Sequence, residues 1–176
     1  MVGQERLEKV LNFSFRNPAL LEEALLHTSF VNENPGHPVP CNERLEFLGD
    51  AFLGFVVARK LHVLSADLSE GDMTQVRAAL VRMTTLSRVA RALPLGDYLI
   101  LGKGEEKSGG RERASNLGRA LEAIIGAAVL DGGVTRATPL VERLLRREWQ
   151  KLLHKGIPPD YKSQFQSLVQ GQGQGL

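Results

Sequence analysis

At 176 residues, with 43% hydrophobic and 24% charged side chains, the chain has the size and composition of one ordinary globular domain with a tail. Wholesale disorder would need far fewer apolar residues, and a membrane span about 20 uninterrupted ones, whereas every long apolar run here is broken by charge. The net charge of +2 is close to balance, so any affinity for a polyanion has to come from a local cluster. Residues 1–9 are polar, with no apolar stretch behind a basic one, which predicts no secretory signal. The single Cys41 and the scattered His27, His37, His62 and His154 give neither a disulfide nor a Cys/His metal spacing. A reducing, cytoplasmic setting with no membrane partner is expected.

Along the chain, almost every segment between turn signals has a helical period, and the expected fold class is all-α. Leu7, Val10 and Leu11 predict a first short amphipathic helix. Leu20, Leu21, Ala24 and Leu25 predict a second, with Asn17 as cap and Pro18 at its first position. Residues 34–40, NPGHPVP, form a loop, since three prolines remove backbone donors. Residues 42–61 then predict a helix capped by Asn42 and apolar on nearly all sides, through Leu45, Phe47, Leu48, Phe52, Leu53, Phe55, Val56 and Val57; such a helix is central.

Ser69 caps the next helix, with Glu70 and Asp72 near its start and Met73, Val76, Ala79, Leu80 and Met83 at helical spacing. A helix over residues 85–93 stops at Pro94, and the glycine-rich, charged residues 102–113 predict a polar loop. Residues 115–130 form a strongly apolar helix ended by Asp131-Gly132-Gly133, and residues 138–155 a last helix with Pro139 at its first position. Residues 136–155 carry six basic side chains against two acidic ones, which suits either a polyanion or a solvated face with Glu142 paired to Arg146. Residues 1–155 are thus expected to form one domain. Residues 156–176 read as a stiff Ile157-Pro158-Pro159 connector, the start of a small helix and a linker-like GQGQGL end.

The chemistry lies in the carboxylates. Glu43, Glu46 and Asp50 recur at three and four residues, so their side chains share one stripe of the central helix and repel one another. A buried carboxylate needs a cationic partner, and Arg44 lies about 100° round the helix. Either Glu43 and Glu46 face solvent or pair with basic residues from other helices, or a divalent metal sits at this stripe. Glu122 sits among Leu121, Ala123, Ile124 and Ile125, where an unpaired ionised group is expensive. Two apolar helices, each with an inward acid, suggest one shared site. Hard oxygen ligands suit Mg²⁺ or Mn²⁺, with remaining positions left to water and phosphate oxygens, a combination that serves phosphodiester hydrolysis.

These residues carry a resemblance. NERLEFLGDAFLG (42–54) resembles the signature helix of the ribonuclease III family, joined in order by LLHTSFVNEN (25–34), SEGDMTQVRAALVR (69–82), LGKGEEKSGGRER (101–113) and LEAIIGAAVLDGG (121–133). The resemblance covers residues 4–155. PDYKSQFQSLVQ (159–170) is similar to the start of the double-stranded-RNA-binding domain of bacterial members, and residues 160–176 are too few to fold alone. The resemblance implies an all-helical, homodimeric endonuclease domain that holds double-stranded RNA in a valley between subunits and cuts with an acidic Mg²⁺ site, leaving 5′-phosphate and 3′-hydroxyl ends. It implies that Glu46 and Glu122 are metal ligands and that Asp50 is the acid essential for hydrolysis at the same site. Glu43 and Glu70 match further valley acids, and Phe47 a residue that plugs into the partner subunit; on pattern alone Phe47 reads as core.

One position departs from the family pattern: Arg119 stands where the resemblance implies an Asp ligand. At i,i+3 it is expected to pair with Glu122 and compete with Mg²⁺, or to contact the scissile phosphate, or to point to solvent. The expected function is metal-dependent cleavage of double-stranded RNA, including rRNA and mRNA precursors. The alternative is a catalytically impaired RNA-binding protein on the same fold. Lys103, Lys107, Arg111 and Arg113 form a weaker candidate contact to an RNA backbone, or simply a solvated loop. Gly102-Lys103-Gly104 lacks the spacing of a phosphate-binding nucleotide loop, and His27 near Ser29 reads as a packed helix-end histidine.

Overall fold

A computed structural model describes residues 2–64 and 68–155. Its helices are α1 (Val2–Leu11), α2 (Pro18–Leu25), α3 (Thr28–Glu33), α4 (Glu43–Leu64), α5 (Glu70–Val81), α6 (Met83–Ala92), α7 (Lys103–Lys107), α8 (Ala114–Leu144) and α9 (Arg146–Lys155). Short 3₁₀ turns over Leu95–Tyr98 and Gly110–Glu112 link α6 to α8. The described residues contain no strand beyond one isolated parallel bridge between Leu26 and Ile100, so the all-α expectation holds. None of the described helices is long and apolar enough to cross a membrane. The connector and small helix expected after residue 155 lie outside the described residues.

The start signals work as their chemistry dictates. Asn17 accepts from the Ala19 amide with Pro18 at the first position of α2, and Ser69 forms a reciprocal capping box with Asp72 at α5. Asn42 precedes α4 as expected, but its side chain is buried and its Nδ2 donates 3.2 Å to the Ala24 carbonyl, tying the start of α4 to α2.

The core is the packing of α4 on α8, with Leu45, Leu53, Leu121, Ile124 and Ile125 all almost fully buried. Two glycines set how close these helices come. A Cβ on Gly49 would lie 1.8 Å from the Glu122 carbonyl oxygen, and one on Gly126 would lie 2.1 Å from that of Leu45. Glycine inside a helix costs about 1 kcal/mol relative to alanine; here it lets backbone touch backbone.

Three expectations need correction. The helix expected to end at residues 131–133 is broken there as expected, by Gly133 at φ 68°, ψ −178°, but the next helical stretch begins at once instead of at residue 138, leaving Pro139 inside it rather than at a first position. The expected Glu142–Arg146 pair does not form among the described residues. Glu142 instead lies 3.8 Å from Lys60, and Glu148 is buried against Arg88 (2.8 Å) and Lys151 (2.7 Å). Residues 102–113 are not an open loop. The Glu33 carboxylate accepts from the amides of Lys103 (2.7 Å) and Gly104 (3.0 Å), pinning the start of α7.

Candidate active site

The close crossing of α4 and α8 brings the predicted acids together. Glu122 faces α4 from the buried side of α8 and is only 6% exposed, with no hydrogen-bond donor to its carboxylate among the described residues. Burial, then the negative charges of Asp50 and Glu46, push its carboxyl up to about 7, against the pull of Arg119. Glu46 is half-buried, and its carboxyl is likewise raised by burial and by Glu43 and Asp50, with Arg119 opposing. Asp50 is exposed at the rim. Glu46, Asp50 and Glu122 therefore form one electrostatically coupled group, as the spacing predicts.

The cation this group needs comes from α8. Arg119 Nε lies 3.6 Å from Glu46 Oε1, across the helix pair. The expected i,i+3 partner, Glu122, feels the guanidinium only through its charge. Arg119 thus neither points away nor binds its own helix neighbour.

The remaining predicted residues separate. Glu43 is exposed and accepts from Cys41 Sγ at 3.4 Å. Glu70 stands apart: it accepts from Thr74 Oγ1 and lies beside Ala58, Leu61 and His62, roughly 12–18 Å along α4 from Asp50 by the helical rise. Phe47, which pattern alone puts in the core, is 81% exposed. Of the four basic residues, Lys103 and Lys107 are exposed. Arg111 is committed to Glu106 (2.5 and 2.7 Å) and to the carbonyls of Gly96 and Leu99, and Arg113 to Glu105 and Ser108. His27 caps α3, its Nδ1 bonded to Ser29 Oγ, which accepts from the Gly102 amide.

Sequence reasoning missed Glu33 and the packing role of Gly49 and Gly126. Glu33 carried no signal, because its amide partners are about 70 residues away. A glycine in the middle of a helical pattern was the available sign of the other two.

No group of three or more His, Cys, Asp or Glu side chains among the described residues converges closely enough to hold a metal ion. The donor set fits a water-rich ion nonetheless, since Mg²⁺ uses one or two carboxylates and fills the rest of its octahedron with water and phosphate.

A sequence model of the Ribonuclease-III-like family matches residues 17–148. Ribonuclease 3 of Dehalococcoides mccartyi (strain ATCC BAA-2266 / KCTC 15142 / 195) is 46% identical over 174 residues, covering 99% of this chain and 73% of that protein. Ribonuclease 3 of Syntrophobacter fumaroxidans is 41% identical over 172 residues, covering 96% of this chain and 71% of that protein. A solved nuclease domain of ribonuclease III from Campylobacter jejuni, described for flexibility in a region involved in dimer formation, superposes with a TM-score of 0.76 at 42% identity, over 81% of this chain and 96% of that one.

Proposed function

The chain belongs to the ribonuclease III family of endoribonucleases, and on that premise we propose that it is a Mg²⁺-dependent enzyme that hydrolyses the phosphodiester bonds of double-stranded RNA as a cytoplasmic homodimer. Its substrates are duplexes of the kind found in rRNA and mRNA precursors, and its products carry 5′-phosphate and 3′-hydroxyl ends. The observation that carries the reading is Glu122, a buried carboxylate with no hydrogen-bond donor among the described residues, set against Glu46 and Asp50.

Glu46, Asp50 and Glu122 would hold the ion between them, one or two directly and the rest through its water shell, with Mn²⁺ able to substitute; when bound it would supply positive charge for the phosphate and acidify water. Asp50, exposed at the rim, orients the attacking water. Glu122, only 6% exposed on the buried side of α8, lies where solvent screening is reduced, which strengthens each charge interaction there. Arg119 contributes a guanidinium beside Glu46.

A second reading, duplex binding without cleavage, is favoured by the Arg119–Glu46 ion pair, which ties up one candidate ligand. The two part in a single-turnover assay on end-labelled duplex RNA with Mg²⁺, Mn²⁺ or EDTA. The nuclease reading predicts metal-dependent double-strand cuts with 5′-phosphate ends; a duplex that is bound yet intact at saturating Mn²⁺ supports the second.

A further inference from the structure

Glu46, Asp50 and Glu122, when ionised, place three negative charges at the α4–α8 crossing. Arg119 supplies one positive charge through its 3.6 Å approach to Glu46. Its side chain remains 53% exposed and that of Glu46 25% exposed, so the pair sits at the mouth of the site rather than sealed within it. An ion pair so placed is weak enough to be exchanged and close enough to be felt. The guanidinium is too large and too directional to serve all three acids; it approaches one oxygen of Glu46 and gives Glu122 no hydrogen bond. With Arg119 in place the group is left at net −2, the charge that one divalent ion cancels.

We propose that Arg119 is the site's resident counter-ion: it holds Glu46 when no metal is bound, keeps the unmetallated α4–α8 crossing together, and weakens the site for a divalent ion, limiting it to one per chain. The proposal rests on the metal-dependent reading above and concerns how this chain's own cation tunes it. The helix contact needs such a partner. The acids cannot separate, because Gly49 and Gly126 bring the two backbones into contact, so while all three are ionised a nearby cation lowers their mutual repulsion.

The test uses the whole chain without RNA. Mn²⁺ binding is followed by calorimetry, and thermal unfolding is followed in EDTA and in Mn²⁺, for the wild-type chain, Arg119→Ala and Arg119→Lys. Arg119→Ala is expected to bind Mn²⁺ about tenfold more tightly, the effect of removing one like charge near a divalent ion in a water-like dielectric. It should also melt lower than wild type in EDTA and gain more from Mn²⁺. Arg119→Lys keeps the charge and should return both readouts toward wild type, with one Mn²⁺ per wild-type chain.

Equal Mn²⁺ affinity in wild type and Arg119→Ala overturns the proposal, as does failure of Arg119→Lys to restore, or two ions per wild-type chain. A chain that behaves as expected toward Mn²⁺ but leaves duplex RNA uncut contradicts the nuclease reading alone. A chain that cuts RNA while Arg119→Ala leaves Mn²⁺ affinity unchanged contradicts the counter-ion alone. Absence of Mn²⁺ binding to all three proteins overturns both.

Discussion

Gly49 of α4 lies against the backbone of Glu122 of α8, so closely that a Cβ on it would sit 1.8 Å from the Glu122 carbonyl oxygen. One hydrogen in place of a methyl group sets the distance across which Glu46 and Asp50 face Glu122, so the site depends on a contact that carries no functional group. Alanine normally stabilises a helix interior relative to glycine by up to about 1 kcal/mol. At Gly49 the sign reverses.

Gly49→Ala should destabilise the fold by about 3 kcal/mol or more, because the obstructing atom is backbone and cannot rotate away. Gly71→Ala is the control: near the start of α5 the added Cβ meets only Ser69 Oγ, at 3.7 Å, and a gain of roughly 0.5–1 kcal/mol is expected. Denaturant unfolding of both variants beside wild type checks the contrast; equal shifts would remove the argument for a locked crossing.

Glu122 makes stability depend on pH in a defined direction. Its folded-state value of about 7 lies above the ordinary 4.5, so the native chain binds that proton more tightly than the unfolded chain. The resulting stabilisation is fully present below 4.5 and is lost as pH rises through about 7. In metal-free buffer, Glu122→Gln should therefore raise stability by about 1–3 kcal/mol at mildly alkaline pH and change little in acid. Thermal melts across pH read this out, and a variant destabilised at alkaline pH would contradict it.

The basic residues of 103–113 should split into two kinds. Lys103→Ala and Lys107→Ala are expected to weaken duplex RNA binding, each lowering the salt slope by about 1, with the fold unchanged. Arg111→Ala should cost about 1–3 kcal/mol of stability, since Arg111 holds Glu106 and two backbone carbonyls. Salt-dependent binding and melting curves on the three variants test the division; an intact melting temperature in Arg111→Ala would count against it.

Much of this was legible in the sequence, and the failures have physical causes. The pairing of two apolar helices through inward acids followed from helical period and the cost of burying charge, and both helices are where that reasoning puts them. By pattern alone Phe47 reads as core, because an apolar side chain in an apolar helix does; only the resemblance sets it on an outer face. It shares the stripe of Glu43, Glu46 and Asp50, a face of α4 that the described residues leave open. Residues 102–113 read as loop because glycine and charge are turn signals. What orders them comes from far away in the sequence, through Glu33, and from ion pairs whose geometry spacing does not encode. For Arg119 the sequence leaves three settings open, on Glu122, on a phosphate or in solvent; the structure sets it beside Glu46, because i,i+3 proximity within α8 lost to a contact across the crossing.

The exposed Phe47 makes the homodimer testable. If a partner subunit covers this ring, its burial contributes at about 25 cal/mol per Å² of apolar surface removed from water. Phe47→Ser should convert a dimer into a monomer by light scattering at micromolar concentration while leaving the helical circular dichroism unchanged. An unaltered mass would assign the dimer to another face.

The most direct test of the central claim, that the α4–α8 carboxylates cut duplex RNA, is Glu122→Gln assayed for cleavage and for binding on the same duplex. Glutamine preserves shape and removes the charge, so cleavage at saturating Mg²⁺ should fall at least about 100-fold while duplex affinity stays within about threefold of wild type. Cleavage at the wild-type rate would contradict the assignment of the site.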